Sequence, residues 1–166
     1  MKHIWKVIGI PAAMLLTAQA VGANDGVLTV TQKLLSERLM VEAAQAAIDA
    51  CAANNIHVHV VIVDTAGLTR LLLIGDGSKA NTIDGALRKA YTAAMMGQAT
   101  ATIADRIAAN PKMLLPPDSK MLYLGGGIPI RVGTDLLGAI AVGGGTPEQD
   151  APCAQAGLDK IQYALH

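Results

Sequence analysis

The chain has 166 residues, with 13 basic and 13 acidic side chains, and is 52% hydrophobic but only 2% aromatic. This length suits one domain with a sizeable core. Balanced charge and a near absence of stacking side chains make the chain a poor candidate for binding nucleic acid, so we expect no nucleic-acid partner.

The first 23 residues have the features of an export signal. Lys2 and Lys6 provide a positive start, and Val7–Leu16 is an apolar run too short to span a bilayer. Small residues up to Ala23 offer a cleavage site. We therefore expect cleavage after Ala23, a single mature domain over residues 24–166 with no membrane span, and a periplasmic or secreted protein. A retained N-terminal anchor is the alternative.

The next part of the chain shows a helix, a pair of strands and two further helices. Helical spacing of apolar residues alternates with β-branched runs that are separated by a turn at Asp64–Gly67. The third helix must end before Asn110, because the following proline disfavours helix there. These patterns predict helices at Thr31–Asn54, Ser78–Met96 and Thr100–Ala109, and strands at His57–Val63 and Leu68–Ile74.

The last third of the chain contains a second hairpin. Two apolar runs flank the turn Gly133–Asp135, and a loop or lid at Lys112–Lys120 precedes them. The patterns predict strands at Met121–Leu124, Ile128–Val132 and Leu136–Val142, and a closing helix at Ala151–Leu165. Hairpin-joined strands favour an antiparallel sheet, so we predict an α+β, profilin-like fold with a five-stranded sheet flanked by helices.

Glycine triplets mark both ends of this second hairpin. Gly125–Gly127 precedes it, and Gly143–Gly145 follows it, directly before a helix start with Thr146 as N-cap and Gln149 in a capping-box position. Backbone N–H groups beside the positive end of a helix dipole suit an anionic ligand. The alternative is structural: the glycines only allow close strand packing, and Asp150 only answers the helix dipole.

Two pairs of side chains are candidates for binding chemistry. His57 and His59 alternate on one predicted strand, so both would face the same side and could ligate a metal or haem iron. Half-exposed strand residues without a role are the alternative. Arg88 and Lys89 lie on a predicted helix, where one of them could hold a carboxylate or both could lie on a solvated face.

Four motifs of the chain resemble the GlcG/HbpS-like family of haem-binding proteins, which is related to the PduO C-terminal domain. They are Val61–Gly67, Arg88–Ala94, Gly126–Pro129 and Gly138–Asp150. The resemblance implies a compact α+β fold, homo-oligomerisation, and binding or slow degradation of haem. The predicted ligand site comprises Arg88, Lys89, Gly125, Gly126, Gly127, Pro129, Gly143, Gly144, Gly145, Thr146 and Asp150.

The two cysteines of the chain are predicted to form a disulfide. In the predicted fold the first and last strands pair at the centre of the sheet, so Cys51, before the first, and Cys153, after the last, come to the same edge. An oxidising compartment permits such a bridge without requiring it.

Three functions are compatible with these residues. The first is an exported haem-binding protein for storage, sensing or transfer, with His57 or His59 as the iron ligand and further copies of itself as partners. The second is an enzyme that acts on a small organic acid held at the glycine-rich helix start. The third is a structural oligomer without a ligand.

Overall fold

The computed structural model describes residues 32–113 and 120–166, which contain four helices and four strands. The predicted signal segment, residues 1–23, and residues 114–119 of the predicted loop lie outside the described part. The helices are α1 (Glu37–Ala52), α2 (Ile83–Met96), α3 (Thr100–Ala109) and α4 (Pro147–Ile161). The strands are β1 (His59–Asp64), β2 (Thr69–Ile74), β3 (Gly127–Val132) and β4 (Asp135–Gly143).

The strands form one antiparallel sheet in the order β2-β1-β4-β3. The first strand, β1, pairs with the last strand, β4, at its centre, and His59 lies opposite Gly143. The hairpins β1–β2 and β3–β4 place the two remaining strands at the edges. The start of β1 therefore lies beside the end of β4, where the chain enters α4.

The predicted fifth strand at Met121–Leu124 is wrong, because the segment lies in irregular structure. Its backbone is bound by side chains of α2 instead of by a strand. The Arg88 guanidinium donates to the Met121 carbonyl oxygen at 2.8 Å, and the Leu122 N–H donates to Thr92 Oγ1 at 2.8 Å. With these groups already paired, the segment forms no ladder, and the described sheet has four strands.

Helices cover both faces of the sheet, and all six residues of β1 are buried. Val60 and Ile62 pack into the cluster formed with α1 and α4, while Val61 and Val63 pack against the alanines of α2. Each such aliphatic side chain contributes about 1.5–3 kcal/mol when fully removed from water. The near-continuous apolar run of β1 is therefore explained by burial on both faces.

The helix bounds follow local capping. The helix α1 begins at Glu37, later than predicted, because Ser36 adopts an extended backbone and its Oγ accepts the Leu39 N–H. A single 3₁₀ turn at Ala80–Thr82 precedes α2. The bounds of α3 agree with its predicted range. None of the helices in the described ranges has the length and apolar character needed to cross a membrane.

Candidate functional site

The structure brings the second glycine triplet to the start of α4. Gly143 ends β4, and Gly144 and Gly145 lead directly into the cap at Thr146. The side chain of Gln149 accepts the Thr146 N–H at 2.9 Å, which forms the predicted capping-box contact. The helix start therefore satisfies one of its own backbone donors.

A buried ion pair joins α2 to α4 beside these glycines. Lys89 Nζ donates to Asp150 Oδ2 at 2.8 Å and to the Gly125 carbonyl oxygen at 3.0 Å. The two side chains are only 6% and 3% exposed. Asp150 Oδ1 accepts the Gly145 N–H at 2.9 Å. The anion at this helix start is thus the chain's own carboxylate.

One glycine of the first triplet makes room for the ion pair. Gly126 has φ +118°, and a Cβ built there would lie 2.7 Å from Lys89 Nζ and 2.9 Å from Asp150 Cβ. Both the backbone conformation and the lack of space exclude a larger residue. The glycine at this position therefore serves the packing of Lys89 and Asp150.

A pocket of about 240 Å³ lies at this junction. We call it the glycine pocket. The residues that line it include Thr82, Lys89, Leu122, Gly143–Gly145, Pro147 and Asp150. Thr82 and Leu122 have no sequence motif that marks them as site residues. They reach the pocket only because the 3₁₀ turn and the irregular segment flank α2.

His59 lies fully buried behind this pocket. Neither ring nitrogen has a hydrogen-bond partner within the described part of the chain. Burial lowers the pKa of His59; the Thr82 carbonyl beside the ring and Asp150 oppose this shift, and Lys89 adds to it. A Cβ at Gly143 would lie 2.9 Å from His59 Nε2. The ring is therefore a neutral imidazole directly beneath the pocket wall.

Because His59 is buried, we predict that the stability of the folded protein depends on pH. Because its folded pKa lies below its unfolded value, the unfolded chain binds the proton more readily, and stability falls as the pH drops below about 6.5. Each unit of lowering corresponds to about 1.4 kcal/mol. When the pH is lowered from about 7.5 to about 5, we expect His59→Leu to lose less stability than the wild type. Urea unfolding of both proteins at the two pH values measures the difference. Equal losses would contradict this.

Arg88 faces a different part of the surface from Lys89. It donates to the Met121 carbonyl oxygen, lies 3.9 Å from Asp84 and lines a separate groove of about 230 Å³ with Tyr91 and Lys120. Neighbouring residues of a helix point about 100° apart, so only one of the two basic side chains reaches the glycine pocket. The structure does not bring Arg88 to the helix start of α4.

Two further predicted ligand residues belong to the edge strand β3. The Gly127 N–H donates to Thr100 Oγ1 at 3.0 Å, which joins β3 to α3. Pro129 pairs with Ala139 of β4, and its missing N–H is tolerated because β3 is an edge strand. Neither residue lines the glycine pocket.

The two candidate histidines lie in different environments. His57 is exposed and precedes β1, and its Nδ1 lies 2.8 Å from the Asp76 carbonyl oxygen. A carbonyl accepts a proton donor, so Nδ1 carries the hydrogen, and in the neutral form of the ring the lone pair is on Nε2. Within residues 32–113 and 120–166, no three His, Cys, Asp or Glu side chains converge to hold a metal ion.

A disulfide links the layer of helices over one face of the sheet. Cys51, in the last turn of α1, bonds to Cys153, in the first half of α4, with a Cα–Cα distance of 5.5 Å. The bridge lies beside the helix start that carries Asp150. It therefore ties the end of α1 to the element that forms one wall of the site.

Comparison with known proteins identifies relatives of the whole fold. The family model described as haem degrading protein HbpS-like matches residues 35–159. An uncharacterized 15.0 kDa protein of the dhaT-dhaS intergenic region of Citrobacter freundii is 33% identical over 108 residues, 63% of this chain and 76% of that protein.

Two solved structures have the same fold. A double mutant of Streptomyces reticuli HbpS superposes with a TM-score of 0.73 at 31% identity, covering 90% of this chain and 97% of that one. A complex of PduOC with heme gives a TM-score of 0.71 at 26% identity, covering 78% of this chain and 96% of that one. Since the family model matches well over half of the residues, the chain belongs to the HbpS-like family.

Proposed function

We propose that this protein binds haem, in a storage, sensing or transfer role. Membership of the HbpS-like family supports this, as does the similarity of the fold to PduOC, which was crystallised with heme. The main support from this chain itself is the environment of the His57 ring. Its exposed ring has one nitrogen anchored by a backbone carbonyl and the other without a partner in the described chain.

His57 fits the requirements of an axial iron ligand. Metal-binding histidines are neutral and usually donate their second ring N–H to a carbonyl or carboxylate, which fixes the tautomer and the ring orientation. The Asp76 carbonyl provides this contact at 2.8 Å. A Cβ at Gly77 would lie 3.0 Å from His57 Nδ1, so the ring packs closely against that glycine. A bound haem would supply an iron open to ligand exchange or electron transfer.

The glycine pocket does not fit a porphyrin. Its volume of about 240 Å³ is below the range of about 300–1,000 Å³ typical for drug-sized ligands. The helix start that was predicted to bind an anionic ligand already holds the Asp150 carboxylate. We therefore place haem outside this pocket, at His57.

A haemin titration tests the proposal. We expect the wild-type protein to develop a Soret band, and His57→Ala to shift its maximum and weaken affinity at least about tenfold, or about 1.4 kcal/mol. His59→Ala and His166→Ala are matched controls that remove the other two histidines of the described chain. Both should titrate like the wild type, because His59 is buried and His166 is the terminal residue.

Other results of the haemin titration would contradict the proposal in different ways. An unchanged Soret maximum and affinity in His57→Ala would remove this residue as the iron ligand and direct attention to exposed thioethers such as Met95 and Met113. No Soret change in the wild-type protein would reject haem binding. The small-acid enzyme has no structural observation in its favour, since Asp150 and Gln149 occupy donors at the helix start.

We also propose that the protein self-associates through β2. This strand lies at the edge of the sheet and exposes Leu72 and Ile74, with Leu68 64% exposed in the turn before it. Unpaired edges with apolar side chains readily pair with another copy. Light scattering at micromolar concentration should give at least the dimer mass, and Leu72→Lys should reduce it to the monomer. Leu34→Lys, at a similarly exposed position outside β2, should not. A monomeric wild type would contradict the proposal.

Export is part of the proposal. The basic start and short apolar run of residues 1–23 support a cleaved signal, and the Cys51–Cys153 bridge suits an oxidising compartment. We place the mature protein in the periplasm or outside the cell. The intact mass of the exported protein tests this, since it should lack the first 23 residues.

A further inference from the structure

The unpaired ring of His59 is a feature that haem binding at His57 does not use. Buried polar side chains nearly always have a hydrogen-bond partner, and each exception requires an explanation such as an unseen water, a ligand or a catalytic role. His59 has two such atoms, and it lies next to the only buried ion pair of the described chain. An apolar residue at this position would avoid the cost of the unpaired nitrogens.

Only Gly143 and the turn that contains Thr82 separate the His59 ring from the glycine pocket. Gly143 and Thr82 line the pocket, and the space for a Cβ at Gly143 lies 2.9 Å from His59 Nε2 and 3.2 Å from the Thr82 carbonyl oxygen. Water does not reach the ring in this conformation. The outer wall is the single 3₁₀ turn Ala80–Thr82, in which no residue is buried. Short exposed turns are among the least stable parts of a fold and move at low cost.

The charges of the pocket select against an anion. Lys89 is its only basic lining residue among those described, and its ammonium is already paired with Asp150. A second carboxylate would lie close to Asp150 without a cation of its own, in a partly buried site where repulsion is strong. Lys89 has three N–H donors, of which two are bound to Asp150 and Gly125. An uncharged acceptor can use the third.

We propose that the glycine pocket binds a small uncharged molecule with a hydroxyl, carbonyl or amide group. The oxygen of the ligand accepts a hydrogen bond from Lys89. When the Ala80–Thr82 turn moves outward, a polar group of the ligand also comes within hydrogen-bond distance of the His59 ring. The pocket volume of about 240 Å³ limits the ligand to a compact molecule. This second site does not depend on haem binding, because His57 lies outside it.

Matched neutral and charged molecules test the proposal in the wild-type protein. We compare lactamide with lactate and acetamide with acetate. The two members of each pair have nearly the same shape but differ by one charge. Two-dimensional NMR spectra of labelled protein report the ring C–H signals of His59 and the amide signals of Gly143–Gly145 and Thr82. The amides should shift these signals in a saturable manner, and the carboxylates should not.

A variant of His59 then separates a binding role from a structural one. His59→Leu should keep the wild-type stability at neutral pH or exceed it, because no hydrogen bond is lost, and should weaken lactamide binding at least tenfold. Ile62→Val is the control, since it alters the opposite face of β1 and should leave binding unchanged. His59→Gln provides a polar replacement if the leucine variant does not fold, and it should also weaken binding.

Two results would overturn the proposal. One is the absence of saturable shifts with either amide in the wild-type protein, which would make the pocket a water-filled cavity only. The other is equal binding of lactate and lactamide, which would overturn the argument from charge. Both results are independent of the haemin titration, so the two proposals fail separately.

Discussion

Replacing Asp150 with alanine will destabilise the folded protein by about 3–5 kcal/mol. The Lys89 ammonium would remain buried without its carboxylate, and the Gly145 N–H would lose its acceptor. An uncompensated buried charge is far more costly than an exposed one, and the side chain of Lys89 is only 6% exposed. Urea unfolding followed by circular dichroism measures the difference in the free energy of unfolding.

A double-mutant cycle distinguishes the ion pair from the packing around it. Lys89→Met combined with Asp150→Leu removes both charges, and should cost less than the sum of the two single changes because no charge is left unpaired. Glu148→Ala is the matched control. Glu148 is an exposed acid in the same helical turn, so its removal should cost far less than that of Asp150. A cost of less than about 1 kcal/mol for Asp150→Ala would contradict a buried, tightly coupled pair.

Removing the disulfide will be almost as damaging. The bridge joins residues 102 positions apart, and a closed loop of about 100 residues corresponds to about 4–5 kcal/mol in the chain-entropy model. We expect the double replacement of Cys51 and Cys153 by alanine to lower the free energy of unfolding by about 2–5 kcal/mol. Wild-type protein unfolded in the presence of a reductant should lose the same amount, and the double variant should not respond to the reductant.

Mass spectrometry provides the direct check of the bridge. Non-reduced digests of the exported protein should contain the peptides of Cys51 and Cys153 linked together, and the intact mass should lack the first 23 residues. Free thiols at both positions would reject the bridge. An intact mass that retains residues 1–23 would reject cleavage after Ala23 without affecting the disulfide.

Local patterns predicted several elements correctly. The helix α3 agrees with the predicted range, because the proline at 111 ends it irrespective of its surroundings. The capping contact between Thr146 and Gln149 depends on residues three apart, so the start of α4 is also a local property. The central pairing of β1 with β4, which was expected from the proposed profilin-like fold and not from a local pattern, is also confirmed.

The arrangement of the site could not be predicted without the tertiary structure. Met121–Leu124 has the composition of a strand, but Arg88 and Thr92 of α2 occupy its backbone groups. Arg88 and Lys89 are interchangeable in the sequence, and only the packing of α2 decides which one meets Asp150.

The sequence by itself therefore determined the bounds of α3, the cap at the start of α4, the hairpins and the family motifs, because these depend on neighbouring residues. The tertiary structure alone decided that Asp150 fills the anion position, and that His59 is buried while His57 is exposed. Burial and charge pairing depend on elements that meet from distant parts of the chain, and no local pattern encodes which groups they leave unpaired.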